Sequence, residues 1–441
     1  MIALLLIAGQ SKRFWPLADK PLFGICGKAL LAHQVERLKA GGIGTIVIVG
    51  GKHNLKAARL LFPKLAAVEQ RDLSLGMRGA LLSALPKCKD EPVLVVGGND
   101  VIEPAAYRAL LDRMQSSPAL DGVILAQRVK RYFPGGYLTL KGRRVTGIVE
   151  KPGEGKEPSK FVNIVAHAHR SAKTLLNALK GVHSDRDDAY ERVLHQLFQD
   201  RRYEAVPYDG VWQPVKYPWH LLSLLPIALG EITEQSLHPT AEIHPSAVII
   251  GPVLLQKNVR ILPHATVVGP CFVGEGSVIA NNALVRQASI GRHCVVGYTT
   301  EIVRSILLDH VWTHSSYVGD AVIGNNTALG GGTMLGNLRL DEGEISSVVE
   351  GQAISTGLTK FGAIIGSDCR IGINCSLLPG VKIGSGSFVS AATLVDQDVP
   401  DNTFVKMAAT KMVARPNRSP SSKPAEREKF RRMSGLHNTA A

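Results

Sequence analysis

The residues of the first half that are best suited to chemistry follow two short apolar runs. Gly9, Arg13 and Lys20 come after the run at residues 4–8, and Asp100 comes after a later one. A loop after a strand presents backbone amides to a phosphate, and the two basic side chains add positive charge where phosphoryl transfer develops negative charge. A carboxylate at the end of a strand suits Mg²⁺ held between phosphates. The pattern predicts a phosphate-handling site; a solvated basic turn and an aspartate that caps a helix are the alternatives.

Alternating elements in the first half of the chain must position these side chains. Short apolar runs predict buried strands at residues 4–8, 45–49, 93–96 and 122–126. Stretches with a helical period predict helices between them, at residues 29–39, 55–61, 77–85 and 105–114. Strands that alternate with helices indicate a parallel sheet covered on both faces, in which ligands bind at the carboxyl ends of the strands. The loops that begin at Gly9 and Gly97 are therefore expected to carry the chemistry.

From about residue 240 the pattern changes to a repeat of six residues. Aliphatic side chains recur at this interval in three runs: Ile243, Ile249, Leu255, Ile261, Val267, Val273 and Ile279; Ile290, Val296 and Ile302; and Ile365, Ile371, Leu377, Ile383, Val389 and Val395. This period is typical of a parallel β-helix in which each unit forms one flat side and points its aliphatic side chain inward. The sequence thus predicts domains at residues 1–235 and 240–405, followed by a basic, flexible tail at residues 406–441.

The composition excludes several classes of protein. The 441 residues include only 44 glycines and 24 prolines, too few for a collagen-like or wholly disordered chain. The six cysteines form no C-x-x-C pair, which indicates reduced thiols in the cytosol. The apolar opening is too short to span a bilayer and lacks the basic start of a signal peptide. These features predict a cytoplasmic protein without a membrane span.

The net charge of +14 is unevenly distributed. The tail at residues 406–441 carries nine Lys and Arg side chains against two Glu, so that it holds half of the net charge. The remaining mild positive bias suits a protein that handles phosphorylated anions. For the tail, a solvated segment and a contact with nucleic acid or a membrane surface both stay open.

Both halves together resemble one family. The residues that carry the resemblance in the first half are Ala8-Gly9, Arg13, Pro16-Leu17, Lys20-Pro21 and Val149-Glu150-Lys151-Pro152. Their order resembles that of sugar-1-phosphate nucleotidylyltransferases, which implies an α/β Rossmann-like nucleotidyltransferase domain. The six-residue repeat resembles the left-handed parallel β-helix of hexapeptide acetyltransferases. Joined in this order, residues 2–405 resemble the archaeal type of bifunctional enzyme that acetylates an amino-sugar 1-phosphate and then attaches UMP from UTP.

The resemblance implies the site residues of the first half. Nucleotide binding is implied for Ala8, Gly9, Gln70 and Gly76, and catalysis for Arg13 and Lys20. Sugar binding is implied for Gly136, Glu150, Lys151 and Asn163, and metal binding for Asp100. The implied cofactor is Mg²⁺, and the implied co-substrate is UTP. Ser11 and Lys12 depart from the family, which has glycine and threonine at these positions.

The second metal ligand of the family is missing. Pro214 stands where the family has an aspartate two residues after Trp212, and proline offers no side-chain oxygen. Two alternatives follow. Either Mg²⁺ is held by Asp100, phosphates and water, which suits its preference for keeping waters, or this half no longer turns over. Lys12 and Lys216 could supply part of the missing positive charge.

In the second half the resemblance implies acetyl transfer from acetyl-CoA. His314 and Asn337 are the implied catalytic residues, and Arg286, Tyr317 and Lys360 the implied sugar-phosphate ligands. The attacking amine must lose a proton, which suits a histidine base, and an asparagine can bind the developing oxyanion or orient the amine. A histidine that merely belongs to the wall of the β-helix is the alternative. In the family the coils pack as trimers with sites between subunits, so a homotrimer or a multiple of trimers is expected.

The sequence therefore predicts a bifunctional enzyme. It would acetylate glucosamine-1-phosphate or galactosamine-1-phosphate with acetyl-CoA, then transfer a uridylyl group from UTP and release pyrophosphate. A nucleotidylyltransferase with a purely structural β-helix and a regulatory protein with an inactive nucleotidyltransferase half are the alternatives. Since the departures fall in the first half, acetyl transfer is expected to be the more secure activity. The amino sugar and the nucleotide stay open.

Overall fold

The computed structural model describes residues 1–182, 184 and 188–408, so the predicted tail lies outside the described residues from position 409 on. The chain divides into two compact units. The first unit comprises Met1–Lys12, Ala18–Gly24 and Lys28–Lys216. The second comprises Arg13–Leu17, Ile25–Gly27 and the described residues from Tyr217 on. Among the described residues, no helix is both long enough and apolar enough to cross a membrane.

Strands and helices alternate along most of the first unit. Its strands are β1 (Ile2–Leu6), β2 (Gly24–Ile25), β3 (Lys28–Ala29), β4 (Thr45–Gly50), β5 (Ala66–Glu69), β6 (Val93–Gly97), β7 (Asp100–Ile102), β8 (Gly122–Arg128), β9 (Gly136–Lys141), β10 (Arg144–Glu150), β11 (Phe161–His169), β12 (Tyr203–Pro207) and β13 (Trp212–Pro214). Its helices are α1 (Leu30–Ala40), α2 (Lys52–Leu61), α3 (Gly76–Ala84), α4 (Pro104–Ser116), α5 (Ala172–Lys180) and α6 (Ala189–Asp200). Short 3₁₀ helices cover Lys12–Phe14, Lys20–Leu22, Leu73–Leu75 and Leu85–Lys87. The four predicted strands and the four predicted helices all occur.

The main sheet of the first unit has the order β5-β4-β1-β6-β11-β8-β12-β10-β9. β5, β4, β1 and β6 run parallel, as predicted. The expectation of a wholly parallel sheet is wrong, because β11 runs antiparallel between β6 and β8 and β10 pairs antiparallel with β9 and β12. β11 is long and carries two histidines, so its sequence lacks the plain apolar run that marks the other central strands.

Each central strand contributes side chains to two separate hydrophobic cores, one on each face of the sheet. Leu4, Leu6 and Val95 pack on one face, with α3, α5 and α6. Leu5 and Val96 pack on the other face, with α1 and α4. The alternation follows from the pleat, which points successive side chains to opposite faces. Since both faces are covered, these strands read in the sequence as continuous apolar runs.

The second unit contains one helix, α7 (His220–Leu229), and otherwise short strands within its described residues. They are β14 (Ser236–Leu237), β15 (Glu242–Ile243), β16 (Val248–Ile250), β17 (Val253–Leu255), β18 (Arg260–Ile261), β19 (Thr266–Val268), β20 (Cys271–Val273), β21 (Val278–Ile279), β22 (Leu284–Arg286), β23 (Ser289–Ile290), β24 (Val295–Val296), β25 (Glu301–Val303), β26 (Ile306–Leu307), β27 (Trp312–Thr313), β28 (Tyr317–Gly319), β29 (Val322–Ile323), β30 (Ala328–Leu329), β31 (Met334–Leu335), β32 (Ile345–Val349), β33 (Gln352–Leu358), β34 (Ile364–Ile365), β35 (Arg370–Ile371), β36 (Ser376–Leu377), β37 (Lys382–Ile383), β38 (Phe388–Val389), β39 (Leu394–Val395) and β40 (Phe404–Val405). Apart from β32 and β33, they form three parallel sheets, one per side of a β-helix.

The aliphatic residue of each six-residue unit points into the β-helix, as predicted. The six-residue repeat changes phase because some sides of the β-helix are shorter than six residues. Leu255 pairs with Val273 after three full units, whereas the coil from Val273 to its partner Ile290 is shorter by a single residue. Glycine follows the aliphatic residue because the coils touch there: a Cβ on Gly274 would lie 2.5 Å from the backbone oxygen of Gly291 in the next coil. All six cysteines, which lie within the described residues, are free thiols, as predicted.

An antiparallel hairpin, β32 and β33, interrupts the coils between β31 and β34. The coils resume in register, since β34 pairs with β29 and β36 with β31. Lys382 ties the hairpin to the β-helix: its Nζ donates to Ser347 Oγ at 2.8 Å, to the carbonyl of Val348 at 2.7 Å and to Asp398 at 2.5 Å. Burial lowers the pKa of Lys382, and Asp398 opposes this shift. The ammonium group is therefore both buried and fully bonded.

Two candidate active sites

Asp100 begins β7 at the carboxyl edge of the main sheet of the first unit. Its Oδ1 accepts a hydrogen bond from Trp212 Nε1 at 2.9 Å, and its backbone oxygen accepts one from Gln34 Nε2 at 3.0 Å. Burial raises the pKa of the Asp100 carboxyl, while the Trp212 hydrogen bond and the positive charges of Lys216 and Lys20 oppose the shift. The carboxylate is thus held in a set orientation beside two lysines.

Pro214 lies directly opposite Asp100 in the antiparallel pair of β13 and β7. Pro214, which the resemblance places at the position of the family's second aspartate, therefore adjoins Asp100 but is apolar. Lys216 Nζ donates to the carbonyl of Pro134 at 2.9 Å and lies 4.6 Å from the centre of the Phe133 ring. Across the described residues, no three His, Cys, Asp or Glu side chains come together as a metal site.

The loop after β1 brings Ser11 and Lys20 together. The Lys20 backbone amide donates to Ser11 Oγ at 3.3 Å, and the Lys20 side chain is buried. Ser11 has φ = 54°, in the left-handed region that glycine adopts at no cost. This explains why the family has glycine at this position. Ala8 is buried, Gly9 is exposed, and Arg13 is exposed in its 3₁₀ helix.

Gln70 and Gly76 also lie together, at the end of β5. Gln70 Nε2 donates to the carbonyl of Asp72 at 2.8 Å and to that of Gly76 at 2.9 Å. Gly76 combines φ = 51° with ψ = −141°, a conformation that favours glycine strongly over other residues. Both hydrogens of the Gln70 amide are thus used to shape the loop, and only its oxygen remains to meet a base.

The implied sugar ligands lie on neighbouring strands. Gly136 and Glu150 are directly opposite in the β9–β10 pair, and a Cβ on Gly136 would come within 3.1 Å of Glu150 Oε2. Lys151 Nζ is 3.6 Å from Glu150 Oε1 and is exposed. Asn163 is half-buried on β11, and its Oδ1 is 2.6 Å from His167 Nε2. Gly136 therefore leaves the space that the Glu150 carboxylate occupies.

The second unit contains a polar cluster around Asn337. Asn337 Nδ2 donates to the Tyr317 hydroxyl at 3.0 Å and to Asp320 Oδ2 at 2.6 Å. Arg304 binds the same carboxylate with two hydrogen bonds, Nε to Oδ1 at 2.6 Å and Nη2 to Oδ2 at 2.7 Å. A Cβ on Gly319 would lie 2.5 Å from the Tyr317 hydroxyl, so glycine is needed there. Asn337 thus links the Tyr317 hydroxyl to the Asp320 carboxylate.

Lys360 and Arg286 complete this cluster, which consists of Arg286, Glu301, Arg304, Tyr317, Asp320, Asn337 and Lys360. Arg286 pairs with Glu301, and Glu301 lies opposite Tyr317 in the β25–β28 pair. Burial lowers the pKa of Lys360, the charges of Arg304 and Arg286 lower it further, and Asp320 opposes them. Burial also raises the pKa of Tyr317. Three cations that face two carboxylates favour an anionic ligand.

Sequence reasoning missed Arg304 and Asp320. Both lie at corners of the coil with positive φ, 47° and 49°, where the six-residue pattern carries no signal for side-chain chemistry. His314 lies at another corner, after β27, and is exposed. Within the described part of the chain its side chain makes no hydrogen bond to the cluster or to any other residue. The structure therefore brings Arg286, Tyr317, Asn337 and Lys360 together, and among the described residues His314 makes no hydrogen bond to any of them.

Comparisons with known proteins agree with this two-part organisation. Residues 362–396 match the bacterial transferase hexapeptide, a family of six repeats, which supports the left-handed β-helix. A bifunctional sugar-1-phosphate nucleotidylyltransferase/acetyltransferase of Sulfurisphaera tokodaii is 28% identical over 416 residues, which cover 92% of this chain and 100% of the relative. The bifunctional protein GlmU of Methanococcus maripaludis (strain C7) is 28% identical over 415 residues, and that of Methanocaldococcus jannaschii 26% over 413 residues. In both cases 92% of this chain and 97% of the relative are covered.

The resemblance predicted from the sequence is confirmed by these relatives. The first half of the chain also matches a family model. This match extends over residues 3–241, which is more than half of the chain and much longer than any single motif. It includes the loop after β1, Asp100, the strands that carry Glu150 and Asn163, and Pro214. On this match the chain belongs to the family of the MobA-like NTP transferase domain.

Proposed function

We propose that this protein is a bifunctional enzyme that makes a UDP-N-acetyl-amino sugar. It acetylates glucosamine-1-phosphate or galactosamine-1-phosphate with acetyl-CoA, and it then transfers a uridylyl group from UTP and releases pyrophosphate. The observation that carries the proposal is that one chain holds both a nucleotidyltransferase unit and a polar cluster on a β-helix, and that its relatives are bifunctional along 92% of its length. A β-helix with a purely structural role would not need an ion pair such as that of the half-buried Arg304 with the buried Asp320.

In the uridylyl site, Asp100 is the residue that would hold Mg²⁺. Trp212 occupies Oδ1, so Oδ2 remains for a metal ion, and Mg²⁺ accepts one carboxylate when substrate phosphates and water supply its other ligands. When bound, Mg²⁺ supplies positive charge to the phosphates. Lys20 and Arg13 add charge at the triphosphate, and Lys151 binds the sugar phosphate. An oxygen of that phosphate attacks the α-phosphorus of UTP, and pyrophosphate leaves.

In the acetyl site, the polar cluster would hold the sugar phosphate through Arg286, Tyr317 and Lys360. The amine attacks the thioester carbonyl, His314 accepts the proton that the amine loses, and the thiol of CoA leaves. Because Tyr317 and Asp320 occupy the Asn337 amide hydrogens, Asn337 would orient the amine through its oxygen and would not bind the oxyanion. The hexapeptide repeats, and the exposure of His314, support a homotrimer, or a multiple of it, in which neighbouring subunits complete each site.

The test follows each half-reaction separately. Purified protein receives acetyl-CoA, UTP, Mg²⁺ and either glucosamine-1-phosphate or galactosamine-1-phosphate, and free CoA and pyrophosphate are measured in parallel. We expect both products with one of the two sugars. Release of CoA without pyrophosphate, even from preformed N-acetyl sugar phosphate, would instead indicate an inactive nucleotidyltransferase half. Pyrophosphate without CoA would indicate a structural β-helix. We also propose that the protein works in the cytoplasm, where these phosphorylated substrates occur.

A further inference from the structure

A series of buried hydrogen bonds connects Asn163 on β11 to side chains in the core of the first unit. Asn163 Oδ1 is 2.6 Å from His167 Nε2, and His167 Nδ1 is 2.9 Å from the Tyr190 hydroxyl. The Tyr190 hydroxyl is 3.3 Å from His169 Nε2, and His169 Nδ1 is 2.8 Å from the Tyr203 hydroxyl. The two histidines and two tyrosines are each at most 2% exposed. Of these five residues, only Asn163, at one end of the series, is exposed enough to contact a ligand.

Both histidines in this series of hydrogen bonds are neutral. Burial and, to a smaller extent, the neighbouring His169 lower the pKa of His167 to about 3, although a backbone interaction with Ile164 opposes the shift. Burial likewise lowers the pKa of His169 to about 3. A neutral imidazole has one nitrogen that donates and one that accepts. If one nitrogen of a ring accepts a hydrogen bond, the other must therefore donate one. The donor in one hydrogen bond of a ring thus determines the donor in its other hydrogen bond.

The direction is set at Tyr203. Within the described part of the chain, the one hydrogen bond of the Tyr203 hydroxyl is to His169 Nδ1. This hydroxyl must therefore donate there, because a buried hydrogen without an acceptor is costly. His169 Nε2 must then donate to the Tyr190 oxygen, and the Tyr190 hydroxyl must donate to His167 Nδ1. His167 Nε2 in turn must donate to Asn163. The oxygen of the Asn163 amide consequently faces inward, and its NH₂ group faces outward.

We propose that Tyr203, His169, Tyr190 and His167 act as positioning residues that fix the Asn163 amide with its NH₂ group toward the sugar 1-phosphate. The substrate must then offer an acceptor, such as a hydroxyl or acyl oxygen, at this point. The inference rests on the proposed uridylyl transfer. It gives a reason for burying four polar side chains in a core that aliphatic residues could fill. Two extra residues of β11 bulge between Asn163 and His167, as is common next to active sites.

The first test needs no activity. In the intact protein labelled with ¹⁵N-histidine, His167 and His169 should both be Nε2–H tautomers, and neither should titrate between pH 5.5 and 8. Single His167→Gln and His169→Gln variants assign the two signals. An Nδ1–H tautomer at His167, or a titration of either ring in this range, would overturn the proposal even if uridylyl transfer is normal. If the tautomers are as expected but no pyrophosphate forms, the proposed function fails, whereas the orientation of the Asn163 amide stands.

The second test measures coupling to Asn163. Tyr190→Phe removes the link that fixes His167, so the KM for the sugar phosphate should rise about tenfold while the KM for UTP and the rate of CoA release stay unchanged. Asn163→Ala should give a similar rise, and the double variant should be no worse than Asn163→Ala alone. Tyr208→Phe, which removes a buried tyrosine hydroxyl bonded to Glu103 in the other core, is the matched control. Additive effects, or an equal rise in the control, would show a structural role only.

Discussion

Replacing Pro214 by aspartate tests how the uridylyl site holds its metal. Pro214 and Asp100 are directly opposite in the β13–β7 pair, so their side chains project on the same face. The two carboxylates would then be about 5 Å apart, and at an effective dielectric constant of about 20 they would repel each other by about 3 kcal/mol. The repulsion adds to the burial that already raises the pKa of Asp100. A divalent cation between the carboxylates would reverse it.

The expected effect of Pro214→Asp on stability therefore depends on Mg²⁺. In a chelator, Pro214→Asp should melt below Pro214→Asn, which removes the same proline without adding charge, by up to about 6–12 °C for about 3 kcal/mol in a domain of this size. With Mg²⁺ the difference should close, and the Mg²⁺ concentration for half-maximal pyrophosphate release should fall. The helical circular-dichroism signal reports mainly the first unit, which carries α1 to α6.

Two results would refute this reasoning. If Pro214→Asp and Pro214→Asn melt alike, with and without Mg²⁺, the new carboxylate does not reach Asp100. If the wild-type protein already forms nucleotide sugar rapidly and Pro214→Asp slows it, the proline is an adaptation of a single-carboxylate site. In that case the expectation that acetyl transfer is the more secure activity is wrong.

Three further predictions concern the buried histidines of β11, the ion pair of Arg304 with Asp320, and the proposed base His314. The folded pKa of about 3 for His167 and for His169 lies below the unfolded value of 6.5, so their stabilisation is complete above pH 6.5 and is lost as the pH falls. From pH 7 to 5 the loss should be about 2 kcal/mol for each ring, seen as a fall in the urea midpoint that the double His→Gln variant lacks. Arg304→Met leaves the buried Asp320 carboxylate unpaired and should lower stability by about 3–5 kcal/mol in thermal melts, with recovery on adding Asp320→Asn. His314→Ala should abolish CoA release yet leave pyrophosphate release from N-acetylated substrate unchanged; a loss of both would argue against separate sites.

Periodicity in the sequence was sufficient to predict the repeating parts of the fold. The six-residue spacing predicts the inward aliphatic residues of the β-helix, because each side of a coil has the same geometry. Apolar runs predict β1, β4, β6 and β8, because strands buried on both faces lack polar positions. β11 does not follow this rule, since His167 and His169 are buried polar residues whose partners include Tyr190 and Tyr203, which lie later in the chain.

The candidate sites were predictable where residues are close in sequence and missed where the fold brings them together. Glu150 and Lys151 are adjacent, and a short motif identifies them. The ion pair of Asp320 and Arg304 joins corners of successive coils, and no pattern in the sequence indicates it. Ser11 is a different case, because its departure from glycine is visible in the sequence but its φ of 54° is not.

The hairpin that interrupts the β-helix has a consequence for chain entropy. Ile323 pairs with Ile365 across the hairpin, whereas Ile365 pairs with Ile383 through an uninterrupted coil, and the first connection is more than twice as long as the second. Closure entropy grows only with the logarithm of loop length, so the longer connection costs about 0.7 kcal/mol more. The hydrogen bonds of Lys382 to the hairpin are enough to offset this cost. Extra chain can therefore be accommodated beside Lys360, and its length can vary between relatives, while the coils on either side keep their register.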